Sequence, residues 1–161
     1  MKRNRYLKQS RKRAVRRRIF NAIKRGDLEA VAKCLDASED IEARKENATP
    51  LINATNEGHA DVVQLLVERG AVVHARDEEG ETALFHFAFI RAEHLSEVKA
   101  TEIAKILLAA GADPNAVDKD RKTRPLELAK LREKNKLWRT LEASASRYIA
   151  VQAYVIKLPR S

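Results

Sequence analysis

The chain has 161 residues, a formal net charge of +9 and a single cysteine, Cys34. One cysteine excludes an intramolecular disulfide. No apolar run approaches the ~20 residues of a membrane-spanning helix, and the basic start is not followed by the apolar segment of a secretory signal. We therefore expect an intracellular protein in a reducing compartment, in the cytoplasm or the nucleus, with the mitochondrial matrix as an alternative.

The basic excess is confined to residues 1–18, which hold ten Lys and Arg and no acidic residue. The rest of the chain holds 22 basic and 23 acidic residues, so a near-neutral body carries a strongly basic arm. Because guanidinium pairs with phosphate in a bidentate way, we expect the arm to bind nucleic acid, RNA rather than DNA, within a large ribonucleoprotein assembly. The alternatives are a nuclear localisation signal, contact with an acidic protein, or a solvated tail. The candidate nucleic-acid-binding residues are Lys8, Arg11, Lys12, Arg13, Arg16, Arg17 and Arg18.

An internal repeat follows the arm. Residues 48–51 (Ala-Thr-Pro-Leu) match residues 81–84 (Glu-Thr-Ala-Leu) at a spacing of 33. The Gly-Ala pair at 70–71 recurs at 111–112, at a spacing of 41. The second unit is therefore a 33-residue repeat with eight residues inserted.

Each unit is predicted to contain two helices. Thr49 is placed to cap the first helix, and Pro50 occupies its first position, where the missing N–H costs nothing. Gly58 ends this helix, and Gly70 ends the second because it accepts positive φ. The buried face of the second helix is predicted to comprise Val62, Val63, Leu65 and Leu66. Leu107 is the equivalent of Leu66 in the next unit.

This pattern resembles the ankyrin repeat, whose signature is T-P-L-H-x-A at a period of 33. The resemblance covers about residues 19–145 and implies an all-α solenoid of four units: an N-terminal cap, two full repeats and a C-terminal cap, with short finger turns. The chain departs from the pattern at the position of the signature histidine, which is occupied by Ile52 in the first full unit and by Phe85 in the second. Asn47 replaces one finger glycine and tolerates positive φ. We expect the last finger, which is one residue longer, to be irregular.

The resemblance also implies a protein-binding surface on the fingers and the adjoining helix face, and a monomer outside its complex. The predicted partner-contacting residues in the fingers are Arg44, Lys45, Glu46, Asp77, Glu78, Glu79, Glu81, Asp118, Lys119, Asp120, Arg121 and Lys122. Phe89 and Ile90 are predicted to join this surface from the insertion.

The residues do not indicate catalysis or a metal site. The histidines, at positions 59, 74, 86 and 94, are spread over two repeats with no apparent cluster of acidic or cysteine ligands, so we expect no bound metal. Cys34 lies on the apolar face of the N-terminal cap and is expected to be a small buried hydrophobe. Because phosphate-loop, nucleophile-elbow and paired-carboxylate motifs are missing, we expect neither enzyme activity nor a cofactor.

Two segments fall outside the repeat pattern. The insertion, residues 89–100, lies between the helices of the second full unit. We favour a reading in which it lengthens both helices, with its apolar side chains, Val98 among them, packed together. The alternative is a binding loop. The apolar tail, residues 146–161, is rich in β-branched and aromatic residues and is predicted to be extended, either folded over the last repeat or added to a partner's sheet.

The sequence therefore favours a non-catalytic scaffold or adaptor, whose ankyrin surface binds a protein while its arm binds nucleic acid or another polyanion. The alternative is a regulatory inhibitor or effector that occludes a protein surface, with the arm serving as a nuclear localisation signal. Salt-dependent binding of RNA or DNA distinguishes the two.

Overall fold

The protein is an all-α array of short helices, as the sequence predicts. The computed structural model describes residues 17–37, 40–89 and 97–119, with short pieces between 124 and 144. The helices with described bounds are α1 (residues 17–25), α2 (Leu28–Asp36), α3 (Pro50–Glu57), α4 (Ala60–Glu68), α5 (Ala83–Phe89) and α6 (Glu97–Ala109). Within these ranges, none of the helices is long and apolar enough to cross a membrane.

Equivalent threonines start α3 and α5. The Thr49 hydroxyl accepts a hydrogen bond from the Ile52 N–H at 3.3 Å, and Thr82 accepts from the Phe85 N–H at the same distance. Pro50 stands in the first turn of α3, where its ring fits the helix and its missing N–H has no intrahelical partner. The predicted cap at Thr49 and the 33-residue relation between the two helix starts are confirmed.

The helices pack in two layers. α3 contacts α5 in the first layer, α4 contacts both α2 and α6 in the second, and each of α3 and α5 also contacts the helix that follows it. Fully buried side chains fill the space between the layers, and each contributes roughly 1.5–3 kcal/mol through burial. They include Ile19, Ile23, Val31, Leu51, Ile52, Leu66, Leu84, Ile103 and Leu107. The predicted burial of Leu66 and Leu107 is confirmed, as is that of Cys34.

One prediction of apolar packing is confirmed in part, and another is wrong. Leu65 packs against the core but is only half-buried, because it lies at the edge of the buried stripe that Val62, Val63 and Leu66 form on α4. Val98 is 70% exposed. At 100° per residue, Val98 lies on the side of α6 opposite the buried Ile103 and Leu107, so it does not pack as proposed for the insertion.

Short turns, which we call fingers, connect the units. The first finger comprises residues 44–48, the second residues 76–82, and the described part of the third residues 117–119. The first two each close with an isolated antiparallel bridge, and the described ranges contain no strand. Asn47 has φ 67°, which confirms its expected left-handed conformation.

Several predictions concern residues outside those described. These are the arm up to residue 16, residues 90–96 of the insertion, residues 120–123 of the last finger, and the tail at 146–161. The end of the insertion, residues 97–100, belongs to α6, as expected for a lengthened helix.

Candidate protein-interaction surface

The tips of the fingers present charged side chains of both signs. Lys45 and Glu46 are exposed on the first finger, where their charged groups lie 3.9 Å apart. Glu78 and Glu79 are exposed on the second finger, and Lys119 is exposed on the third. These five predicted contact residues, which we call the fingertip set, are therefore accessible to a partner.

Two arginines tie neighbouring fingers together. Arg44 Nη1 donates to the carbonyl of Asn47 in its own finger and to that of Arg76 in the next, each at 2.8 Å. Arg76 Nη1 repeats the pattern, donating to the carbonyls of Gly80 and, at 2.8 Å, Val117. Arg44, predicted as a partner contact, thus has its guanidinium engaged by backbone carbonyls. Arg76 was missed by the sequence analysis, although its position 32 residues after Arg44 is a signal of equivalence.

The second and third fingers also touch through their backbones. The Lys119 N–H donates to the Glu79 carbonyl at 3.1 Å. Gly80 has φ +77°, and a Cβ placed there would lie 3.0 Å from Lys119 Cβ and 3.2 Å from Lys119 N. Glycine is therefore favoured where these fingers meet, and the three turns form one continuous edge.

Three predicted contact residues point inward instead of outward. The side chains of Asp77 and Glu81 are only 5% and 13% exposed, and Asp118 is buried. Asp77 Oδ1 accepts from the Glu81 N–H at 2.8 Å, which shapes the second finger. This bond engages the Asp77 carboxylate within the turn. The low exposure of all three side chains leaves little for a partner to contact, so their assignments to the partner surface are corrected.

The same finger brings one histidine to two carboxylates, contrary to the expectation that no acidic ligands cluster with a histidine. His86 Nε2 on α5 lies 2.5 Å from Asp77 Oδ2 and 3.4 Å from Glu81 Oε2. One ligand atom from each of these residues lies within 4.8 Å of the others. The sequence analysis missed this cluster because the finger folds back on the start of α5, which joins positions separated by four and nine residues.

The helix face beside the fingers is polar. Asn53 and Asn56 on α3 and His86 on α5 are half-buried there. Asn53 Nδ2 donates to the Thr49 carbonyl at 3.1 Å, and Asn56 Nδ2 lies 3.5 Å from His86 Nδ1. These amide and imidazole groups adjoin the finger edge and provide donors and acceptors next to its charges.

Among the predicted nucleic-acid-binding residues, the structure describes Arg17 and Arg18. Both are exposed at the start of α1, immediately before the buried Ile19. The other five predicted arm residues lie outside the described part of the chain, as do Ile90, Asp120, Arg121 and Lys122 of the predicted partner surface.

Comparison with known proteins agrees with this architecture. A family model for ankyrin repeats, in three copies, matches residues 19–118. The chain is 41% identical over 68 residues to an ankyrin repeat-containing protein of Schizosaccharomyces pombe, a match covering 42% of this chain and 33% of that protein. It is 33% identical over 105 residues to zygote-specific protein 3 of Chlamydomonas reinhardtii, covering 63% of this chain and 26% of the relative.

A third relative is M-phase phosphoprotein 8 of Rattus norvegicus, which is 34% identical over 73 residues, covering 44% of this chain and 9% of its own length. The chain thus spans a third or less of the length of these relatives. Ankyrin repeats form a protein–protein interaction module, a fold that generally presents surfaces without catalysis. The stacked helix pairs, the aligned fingers and the matching family model together show that this chain belongs to the ankyrin-repeat family.

Proposed function

We propose that this protein is a non-catalytic adaptor, which binds a protein through its finger edge and a nucleic acid through its basic arm. The observation that carries the first part is the pair of arginines that tie the fingers together. Arg44 and Arg76 hold three turns in one register, so the backbone that carries the fingertip set needs little ordering on binding.

The charges of the fingertip set indicate the chemistry of the protein partner. Glu78 and Glu79 form an exposed acidic centre, Lys119 stands on the finger to one side, and Lys45 is paired with Glu46 on the finger to the other side. A partner surface with a basic centre, and an acidic group facing Lys119, complements this order. Such complementarity mainly sets the association rate and the choice of partner.

The uneven distribution of charge supports the second part of the proposal. Residues 1–18 carry ten positive charges, whereas the remainder of the chain is almost neutral. Arg17 and Arg18, the last two charges of this segment, are exposed directly before the buried Ile19 and are therefore accessible to phosphates. Phosphates attract such a segment with little dependence on base sequence, since contacts to the backbone carry no sequence information.

Photo-crosslinking tests the protein-binding surface. A photoreactive amino acid at position 78 is expected to trap the copurifying protein in cells, and the same amino acid at Glu68, on the second-layer helix α4, is expected to trap far less. In separate affinity captures without the photoreactive amino acid, the double substitution E78K/E79K should strongly reduce the amount of that protein that copurifies, whereas the matched charge change E68K/E102K should not. Equal capture from positions 78 and 68 would contradict the finger edge as the interface.

A salt titration tests the arm. For five to eight neutralised phosphates on duplex DNA, log K against log salt should have a slope of about −4.5 to −7. Replacing the seven candidate residues by Gln in the full chain should abolish binding to RNA and DNA at low salt, with the circular dichroism unchanged. If the Gln variant binds equally well, or the unaltered chain binds neither nucleic acid, the occluding effector becomes the better proposal, and nuclear import of a fused reporter then tests the arm as an address.

A further inference from the structure

We propose that the exposed side of α1 binds the phosphate backbone of nucleic acid, so that Lys24 and Arg25 of the folded body act together with the basic arm. The inference rests on the function proposed above, in which the arm binds nucleic acid. Lys24 and Arg25 are exposed at the end of α1, and Arg17 and Arg18 are exposed at its start. Together with the exposed Asn21 between them, these residues form what we call the α1 basic face.

Helical periodicity gathers these residues on one side of α1. At about 100° per residue, the four basic residues fall within an arc of about 120°, and Asn21 lies near its centre. The apolar residues of the helix occupy the rest of its circumference and are buried in the core; they are Ile19, Phe20, Ala22 and Ile23. The core therefore holds α1 in place and directs its positive charges outward from one surface.

The acidic side chains next to α1 leave most of this charge unopposed. Residues 17–25 contain no acid. Asp27 caps α2 by accepting from the Ala30 N–H at 3.0 Å, and its Oδ2 lies 3.8 Å from Arg25 Nη2, a long and exposed ion pair. Glu29 pairs with Lys33 at 2.6 Å. Counting Asp27 against the four basic residues leaves the α1 basic face with a net charge of +3.

This arrangement favours phosphates over a membrane surface. An amphipathic helix binds lipid by inserting its apolar side, and in α1 that side is already buried in the protein core. Arg17 and Lys24 lie about 10.5 Å apart along the helix axis, and each strand of a duplex carries a phosphate every ~3.4 Å, so the two ends of the face span about three phosphates. Because contacts to phosphate carry no base information, the face adds affinity without sequence preference.

A salt titration of duplex DNA binding by the full chain tests the two new residues. K24Q/R25Q should make the slope of log K against log salt shallower by up to about 1.8, and should weaken binding at least about tenfold at about 0.1 M salt. Glutamine is a good helix former, so the circular dichroism should be unchanged. K24R/R25K keeps both charges and should bind like the unaltered chain. The matched control K45Q/K105Q removes the same charge from exposed positions on the first finger and α6, and it should leave the slope nearly unchanged.

Photo-crosslinking locates the contact directly. A photoreactive amino acid at position 21 should crosslink to the duplex, whereas one at position 64, exposed on α4, should not. An unchanged slope in K24Q/R25Q, or equal crosslinking from positions 21 and 64, would overturn this inference while leaving nucleic-acid binding by the arm intact. If the unaltered chain binds no nucleic acid, both proposals fail. If poly-glutamate displaces the duplex as well as unlabelled duplex does at equal charge, the face binds an acidic protein and the inference is wrong.

Discussion

Two glycines with similar backbone conformations offer a matched test of how the fingers pack. Gly70 has φ +87° and Gly80 has φ +77°, so a side chain strains either position. A Cβ at Gly70 would meet no atom within 4 Å, whereas one at Gly80 would press on Lys119. The difference between the two positions therefore isolates the contact between fingers.

We expect G70A to lower the free energy of unfolding by about 1–2 kcal/mol, the cost of a left-handed alanine. G80A should cost about 1 kcal/mol more, because the Lys119 backbone must move as well. Urea unfolding followed by circular dichroism measures both variants. Equal losses would show that the second and third fingers do not press on each other at Gly80.

Structural features that depend on neighbouring residues could be predicted from the sequence, whereas contacts between residues brought together by the fold could not. The cap at Thr49 and the positive φ of Asn47 follow from short-range chemistry that needs only neighbouring residues. The grouping of Asp77, Glu81 and His86 depends on how the second finger turns back over α5. The three residues stand at the spacing D-x3-E-x4-H across the start of α5, but no general rule predicts from this spacing that their side chains meet.

At the scale of a helix, Leu66 and Leu107 hold their elements to the core. Both side chains are completely buried, Leu66 on α4 and Leu107 on α6. L66A and L107A should each destabilise the protein by about 2–5 kcal/mol through lost transfer energy and a cavity. V98A is the control, since Val98 is largely exposed, and it should change stability by less than about 0.5 kcal/mol. Thermal melts at matched concentration compare the three, and a wild-type midpoint for L66A would refute the packing register.

At the scale of a finger, Arg76 is the residue to remove. R76M keeps the aliphatic stem but removes the donors to Gly80 and Val117. We expect a loss of about 1–2 kcal/mol, below the usual range for buried charged hydrogen bonds because Arg76 is exposed. K45M should be nearly neutral, since Lys45 makes only a long exposed ion pair in the first finger. Similar losses in both variants would show that the arginine bonds do not hold the fingers.

The helices themselves were predictable because apolar spacing and punctuation by Thr, Pro and Gly act within each unit. The exposure of Val98 was not, because an apolar residue in an insertion was assumed to pack. Only its angle on α6, relative to Ile103 and Leu107, places it on the outer side. Extending the helical periodicity backward from Ile103 and Leu107 to residue 98 would have predicted that Val98 is exposed.

For the whole molecule, contacts between successive helix pairs predict cooperative unfolding. Among the described helices, the main contacts join each unit to its neighbours, so a loss at one interface weakens the short array. Trp138, the single tryptophan, falls in the predicted C-terminal cap. In L66A, the fluorescence of Trp138 and the helical circular dichroism should both shift to lower denaturant, with coincident midpoints. An unshifted tryptophan transition would place residue 138 outside the cooperative array and would shorten the domain predicted at residues 19–145.

The bonds made by Arg44 and Arg76 have a consequence for how this chain can be altered. The bond from Arg44 to the Arg76 carbonyl and the bond from Arg76 to the Val117 carbonyl are structurally equivalent, although the first spans 32 residues and the second 41. The spacing between successive fingers is therefore insensitive to the length of the chain between α5 and α6. That chain runs from the end of α5 to the start of α6, whereas the fingers precede α5 and follow α6. We therefore expect a peptide epitope or a fluorescent label inserted between α5 and α6 to leave the spacing of the finger edge unchanged.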